Sequence, residues 1–379
     1  AGLANVSVQI GKRIFEMKGK YEFMKPRVYT IEPTVGAAYG GQTVRITGLY
    51  AIPAPVVLRE NMKVDIRIGG APCIDAEIEG KIGQQHWKCT TTKNFGPNQD
   101  IVLSINGHPG KNVSDAKYEF AAPKIEEISP KAGPFYGNWT LTLKGKFMGL
   151  AKMQEKINVR IGRSFCRDVQ VISETEITCI TPFTKPQTNV PIMINLYDEY
   201  DNEPFSGVDF VVPSVKKSSP KVGATYGGGE VEFSGVALGS KNLIAKNGVE
   251  ITVGGNPCEK LSFVSDDGYV STVRCTLPPA EGEQLMEFST LSVNIGDVTG
   301  KSERVFGYRA PLVTGVDPPM APIYGGETLT ITGKFLGRKG HNSTLPTAIV
   351  GRTWCLKTEI LSEEKVTCLV APSHAGVSS

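Results

Sequence analysis

Eight cysteines and four histidines are the residues here with the most chemistry to offer. The cysteines are Cys73, Cys89, Cys166, Cys179, Cys258, Cys275, Cys355 and Cys368. Thiolates could hold zinc, attack a substrate or pair as disulfides. A zinc site usually shows C-x2-C or a nearby histidine, and these cysteines stand alone. A nucleophilic thiol would occur once, whereas here two cysteines recur in each stretch of about 95 residues. Disulfides are the expected chemistry, and they belong to an oxidising compartment. Four N-x-S/T sequons, at Asn5, Asn112, Asn138 and Asn342, point the same way and imply N-linked glycans.

The remaining candidates are weaker. His86, His108, His341 and His374 do not recur between repeats and form no triad-like or metal-like pattern, so surface or loop roles are expected. The stretch "LYDEYDNEP" brings Asp198, Glu199, Asp201 and Glu203 together, a possible set of oxygen ligands for calcium. A solvated hairpin between two strands explains it as well, and is the preferred reading. No Walker loop or G-x-S-x-G elbow is present. No catalytic residue, cofactor or metal site is therefore expected, and the chain reads as a non-enzyme. The formal net charge of +3 leaves no electrostatic footprint for nucleic acid. No uncharged apolar run approaches the roughly 18 residues that span a membrane.

The elements that position the cysteines repeat. "PTVGAAYGGQTVRITG" (33–48) returns as "PKAGPFYGNWTLTLKG" (130–145), "PKVGATYGGGEVEFSG" (220–235) and "PPMAPIYGGETLTITG" (318–333). The Tyr-Gly pairs start at Tyr39, Tyr136, Tyr226 and Tyr324, each 13 residues after a proline: Pro26, Pro123, Pro213 and Pro311. The period is that of a small domain, longer than a solenoid repeat. After each turn comes an alternating strand such as "TLTITG", whose period of two marks a half-buried strand. A strand ending in a turn and a cysteine follows, as in "VRIGRSFC", then a second cysteine in another β-rich segment, as in "EITCITP". No helix of ten or more residues is expected. Many short strands with turn signals argue for antiparallel sandwiches. The repeat selects one pairing: Cys73–Cys89, Cys166–Cys179, Cys258–Cys275 and Cys355–Cys368. Linkers are nearly absent, and prolines stiffen them, so a semi-rigid rod is expected. "VALGSKNLIAKNG" and "YAIPAPVVLRENMK" are the longest insertions between strands and candidate partner contacts.

The phrase P-x-x-G-x-x-Y-G-G with its strand, then [IV]-G-x-x-x-C, then C-x-x-P, resembles the IPT/TIG family. These are immunoglobulin-like sandwiches of plexins, Met-type receptors, fibrocystin-like proteins and microbial surface proteins. The resemblance covers essentially the whole chain and implies an all-β tandem array. It is specific for fold and not for function. Two departures stand out. Ala321 replaces the glycine seen at Gly36, Gly133 and Gly223, which points to a different backbone in the fourth turn. Asn138 replaces the second turn glycine, as Asn can at positive φ. Intracellular Rel-type members bind DNA, but their basic loops are missing here.

The phase divides the chain into residues 26–122, 123–212, 213–310 and an incomplete 311–379, with 1–25 as closing strands of a preceding domain. Tyr21 and Phe23 stand where Tyr118 and Phe120 stand one repeat later. Three complete sandwiches plus one split between the two chain ends are expected. The expected function is an extracellular or cell-surface scaffold or adhesion segment that presents protein-binding surfaces. Two alternatives are a filament subunit, with residues 1–25 completing the last domain of a neighbouring copy, and the stalk of a larger receptor or surface enzyme. Expected partners are other cell-surface proteins or further copies of the chain, with no nucleic acid.

Overall fold

The structure, a computed structural model, describes residues 2–51, 62–81, 84–110, 116–198, 200–267, 269–280, 288–339 and 347–372. It is all-β, built of immunoglobulin-like sandwiches in tandem. Two compact units contain them. One holds Ala1–Pro130, Thr140–Pro182 and Val190–Gly207, and the other holds Lys131–Trp139, Phe183–Asn189 and Val208–Ser379.

In the first unit, Arg27–Glu32 pairs antiparallel with Thr43–Leu49, then His86–Thr91, then Ala71–Glu79. Ala71–Glu79 continues to Val64–Ile68, Gly96–Ile105 and Lys117–Ala121. Val35–Ala37 adds to Lys117–Ala121 in parallel. Val28, Ile31, Val44, Ile46, Ile66, Ile68, Trp87, Leu103, Tyr118 and Phe120 share one core. The next repeat uses the same order in Lys124–Ser129, Thr140–Lys146, Glu176–Ile180 and Arg167–Ser173. Ile157–Ile161 pairs with Gln187–Leu196. Leu3–Ile10 and Arg13–Glu22 form a separate two-stranded sheet.

In the second unit, Ala132–Pro134 runs parallel to Phe205–Val211. Ser214–Ser219, Glu230–Val236, Val270–Thr276 and Glu259–Asp266 form one sheet. Val249–Val253, Phe288–Ile295, Val298–Arg309 and Val222–Ala224 form the facing one. The fourth repeat has Leu312–Asp317, Thr328–Lys334, Lys365–Leu369 and Lys357–Ser362 in a sheet. Ile349–Val350 pairs with Thr353–Trp354.

Local sequence explains these elements. In "TLTLKGK" (140–146), Leu141, Leu143 and Gly145 are buried and the alternate residues face outward, as a two-residue period dictates. The longest helices among the described residues are a 3-10 turn, Ala151–Lys156, and one α-turn, Lys241–Ala245. The latter is capped by the Ser240 hydroxyl, which accepts from the Leu243 N–H at 3.4 Å.

Each Tyr-Gly turn demands glycine at its first position. Gly40, Gly137, Gly227 and Gly325 all have φ between 67° and 74°. A Cβ on Gly40 would lie 2.5 Å from the Thr92 carbonyl carbon. The second position also has positive φ, yet a Cβ on Gly41 would meet nothing within 4 Å, and Asn138 occupies it naturally at φ 66°. Gly41→Asn is therefore expected to change stability by less than about 1 kcal/mol. Gly40→Ala is expected to cost about 2 kcal/mol or more, because main chain stands in the way. Denaturant midpoints of the two variants check this.

Candidate functional site

Two features recur at equivalent places, the cysteine bridges and the Tyr-Gly turns. The structure joins Cys73 to Cys89, Cys166 to Cys179, Cys258 to Cys275 and Cys355 to Cys368, with Cα–Cα distances of 5.5 to 5.8 Å. The second cysteine of each pair is at most 1% exposed. The first sits where the chain passes from one sheet to the other. Ser164–Phe165 pairs with Ile157–Ile161, and immediately after Cys166 the strand Arg167–Ser173 pairs with Glu176–Ile180. The bridge thus ties the crossing point to a central strand of the first sheet.

The Tyr-Gly turns face the next repeat. Tyr39 is buried, and burial, helped by the Glu174 carboxylate, pushes its hydroxyl from 10.0 up to about 12. Burial, then Asp266, pushes Tyr136 up to about 12, against a backbone hydrogen bond from Gly239. Tyr226 is raised by burial and by Glu363, with Arg338 opposing. The Arg338 guanidinium also donates to the Gly228 carbonyl of that turn. Glu174 and Glu363 hold equivalent turns: their carbonyls accept the N–H of Met148 and Leu336 at 2.9 Å. Tyr324, with no such neighbour among the described residues, is 76% exposed.

A phenol whose folded value is raised stays neutral in the fold while the unfolded chain ionises. Its contribution is intact below pH 10 and is lost as pH rises from about 10 to about 12. Stability should be flat up to pH 10 in this respect and then fall steeply. Tyrosine ultraviolet titration in the folded protein should show Tyr39 and Tyr136 ionising late.

The recurrence of these tyrosines is visible in the sequence, but not what they meet. A usable signal was a glutamate five residues before both Cys179 and Cys368. The insertion 236–248 contributes Gly239 to the Tyr136 junction. Most of the insertion 50–63 lies outside the described residues.

Of the sequons, Asn5 and Asn138 are exposed, while Asn112 and Asn342 lie outside the described residues. Around the acidic stretch, Leu196 pairs with Tyr200 and Asn195 with Asp201 in antiparallel strands. Asp198 accepts from the Asn158 amide at 3.0 Å, and Asn202 is buried, accepting from the Ile194 N–H at 2.6 Å. Glu199 lies outside the described residues. Among the described residues, no three His, Cys, Asp or Glu side chains form a metal-holding group. His86 stands 3.6 Å from Glu79, whose carboxyl is held low chiefly by the hydrogen bond from Lys88. His108 is exposed. His341 and His374 lie outside the described residues. No helix among the described residues is long and apolar enough to cross a membrane.

Serial sandwiches, each with its own bridge and with recurring junction tyrosines, define a tandem domain array. The IPT/TIG domain model matches residues 26–120, 123–212, 213–305 and 311–379, and the chain belongs to the IPT/TIG family. It is similar to Fibrocystin-L of Mus musculus, with 23% identity over 339 residues, 88% of this chain. The chain spans 7% of that relative's length. Among solved structures it is similar to the Plexin A4 full extracellular region, at 14% identity and a TM-score of 0.28, covering 77% of this chain and 35% of that one. It is also similar to a Bacteroides ovatus SGBP-B from a mixed-linkage glucan utilization locus, at 13% identity and a TM-score of 0.26, covering 91% and 88%.

Proposed function

We propose that this chain is a non-enzymatic extracellular segment of a cell-surface protein that presents protein-binding surfaces in series. Adhesion and a receptor stalk are the two forms of that work. One observation carries the reading: every repeat has its own bridge, anchored on a buried second cysteine, a device suited to an oxidising compartment. The domain units are proposed to begin at Pro26, Pro123, Pro213 and Pro311, with residues 1–25 of the same character as the closing strands of a sandwich. The junction tyrosines, Tyr39 buried and Tyr136 and Tyr226 half-buried, support contact between successive domains, which would keep binding faces in register. Partners are other cell-surface proteins, and N-linked glycans are placed on the exposed Asn5 and Asn138. A membrane-impermeant label on intact producing cells tests location. The protein should be labelled, and glycosidase should shift its mass. Labelling only after lysis, with no glycosidase shift, would contradict the reading.

A further inference from the structure

The four repeats are not four copies of one domain. The bridged cysteines lie 16 and 17 residues apart in the first and third repeats, and 13 apart in the second and fourth. The chain reaches the first cysteine through "IGGAPC" and "VGGNPC" in the first and third, and through "IGRSFC" and "VGRTWC" in the other two. The backbone follows the sequence there. Both turn residues have positive φ at Gly69 and Gly70 and at Gly254 and Gly255, whereas in the "GR" turns only Gly162 and Gly351 do. The turn inside the bridged stretch alternates as well. Ser173 pairs with Glu176 and Ser362 with Lys365, which leaves two-residue turns, Glu174 with Thr175 and Glu363 with Glu364. Asp266 pairs with Ser271, and Glu79 with His86, which leaves longer ones.

Turn length decides how a neighbouring N–H is satisfied. In the second and fourth repeats the tight turn brings the Glu174 and Glu363 carbonyls to the N–H groups of Met148 and Leu336. In the third repeat the Ser271 hydroxyl accepts the equivalent N–H, that of Leu238, at 3.0 Å.

These turns face the preceding repeat, so the joints inherit the alternation. Where the first repeat meets the second, and the third meets the fourth, a turn glutamate stands near the tyrosine: Glu174 near Tyr39, Glu363 near Tyr226. A long cationic side chain also spans each of these joints. Lys93 lies over the Tyr197 ring, 4.3 Å from its centroid, and Arg338 donates to the Gly228 carbonyl. The Tyr39 hydroxyl is buried with no hydrogen-bond partner among the described residues. Where the second repeat meets the third, the Tyr136 hydroxyl instead takes a hydrogen bond from the Gly239 main chain. Packing and long side chains hold one kind of joint, and a directional main-chain hydrogen bond holds the other.

We propose that the structural period of this chain is two repeats: the first and third are one kind of domain, the second and fourth another, and two kinds of joint alternate between them. A partner that reads the rim of a joint then meets the same surface only at every second domain. This inference goes beyond the extracellular-scaffold reading and does not depend on it.

Three Tyr→Phe substitutions in the full chain test it, since each removes only a hydroxyl. Tyr136→Phe should speed hydrogen exchange at the Gly239 amide by about 3- to 10-fold and lower the denaturant midpoint. Tyr39→Phe should leave the midpoint unchanged or raise it, because the hydroxyl it removes is buried without a partner. Tyr226→Phe should behave as Tyr39→Phe does. In the wild type the Gly239 amide should be protected, a reading that needs no variant to fold. Equal losses in all three variants would mean a single kind of joint and would overturn the proposal. So would an unprotected Gly239 amide, or one whose exchange is untouched by Tyr136→Phe.

Discussion

Removing the bridge of a single repeat, by Cys166→Ala/Cys179→Ala, lowers that domain's thermal midpoint by on the order of 10–20 °C. The bridges close stretches with sequence separations of 13 to 17 residues. In the chain-entropy description, opening a loop of that size costs about 3 kcal/mol. A domain of this size holds only roughly 5–15 kcal/mol in total. Each kcal/mol moves the midpoint of a domain of under about 100 residues by roughly 4–8 °C. Removing the Cys179 sulfur also takes packing from the core, where that residue is 1% exposed. Calorimetry should resolve one early transition in the variant while the bridged repeats keep theirs. An unshifted profile would mean that sheet packing alone holds each sandwich.

Gly145→Ala is expected to cost about 3 kcal/mol or more. Thr140–Lys146 meets Lys124–Ser129 at a register shift between Ile125 and Glu127. Gly145 lies opposite that bulge, and a Cβ there would overlap the Lys124 carbonyl oxygen. Both sides of the clash are main chain held in strands, so no side-chain rotation relieves it. The arrangement recurs as Gly48 against Arg27, Gly235 against Ser214 and Gly333 against Leu312. Each pair sits at the same shift in its first strand. The expected signature is a lower denaturant midpoint for the affected domain with an unchanged slope. Gly41→Asn, tested in the same way, is the contrast that separates backbone crowding from a general intolerance of side chains.

Much of this was legible in the sequence because its causes are local or repeated. Alternation in "TVRITG" and "TLTLKG" dictates strands, and fourfold recurrence fixes both the repeat and the choice of cysteine partners. Asn138 was readable as a turn residue because positive φ is a one-residue property. The end of the phrase was different. Gly145 looks like a turn glycine, yet its constraint comes from Lys124, 21 positions earlier, across a strand pair whose bulge no local pattern announces. The junctions were half legible. Tyr39, Tyr136 and Tyr226 recur, but Glu174, Gly239 and Arg338 come from turns of different length and sequence. The acidic stretch at Asp198 shows the limit of composition: its charges suggested ligands, whereas the buried Asn202 organises the turn.

Peptide mapping of the non-reduced protein by mass spectrometry bears most directly on the claim that this is a series of individually bridged sandwiches. Four linked pairs are expected, Cys73–Cys89, Cys166–Cys179, Cys258–Cys275 and Cys355–Cys368, with no free thiol. Eight free thiols, or any bridge joining cysteines of different repeats, would contradict it.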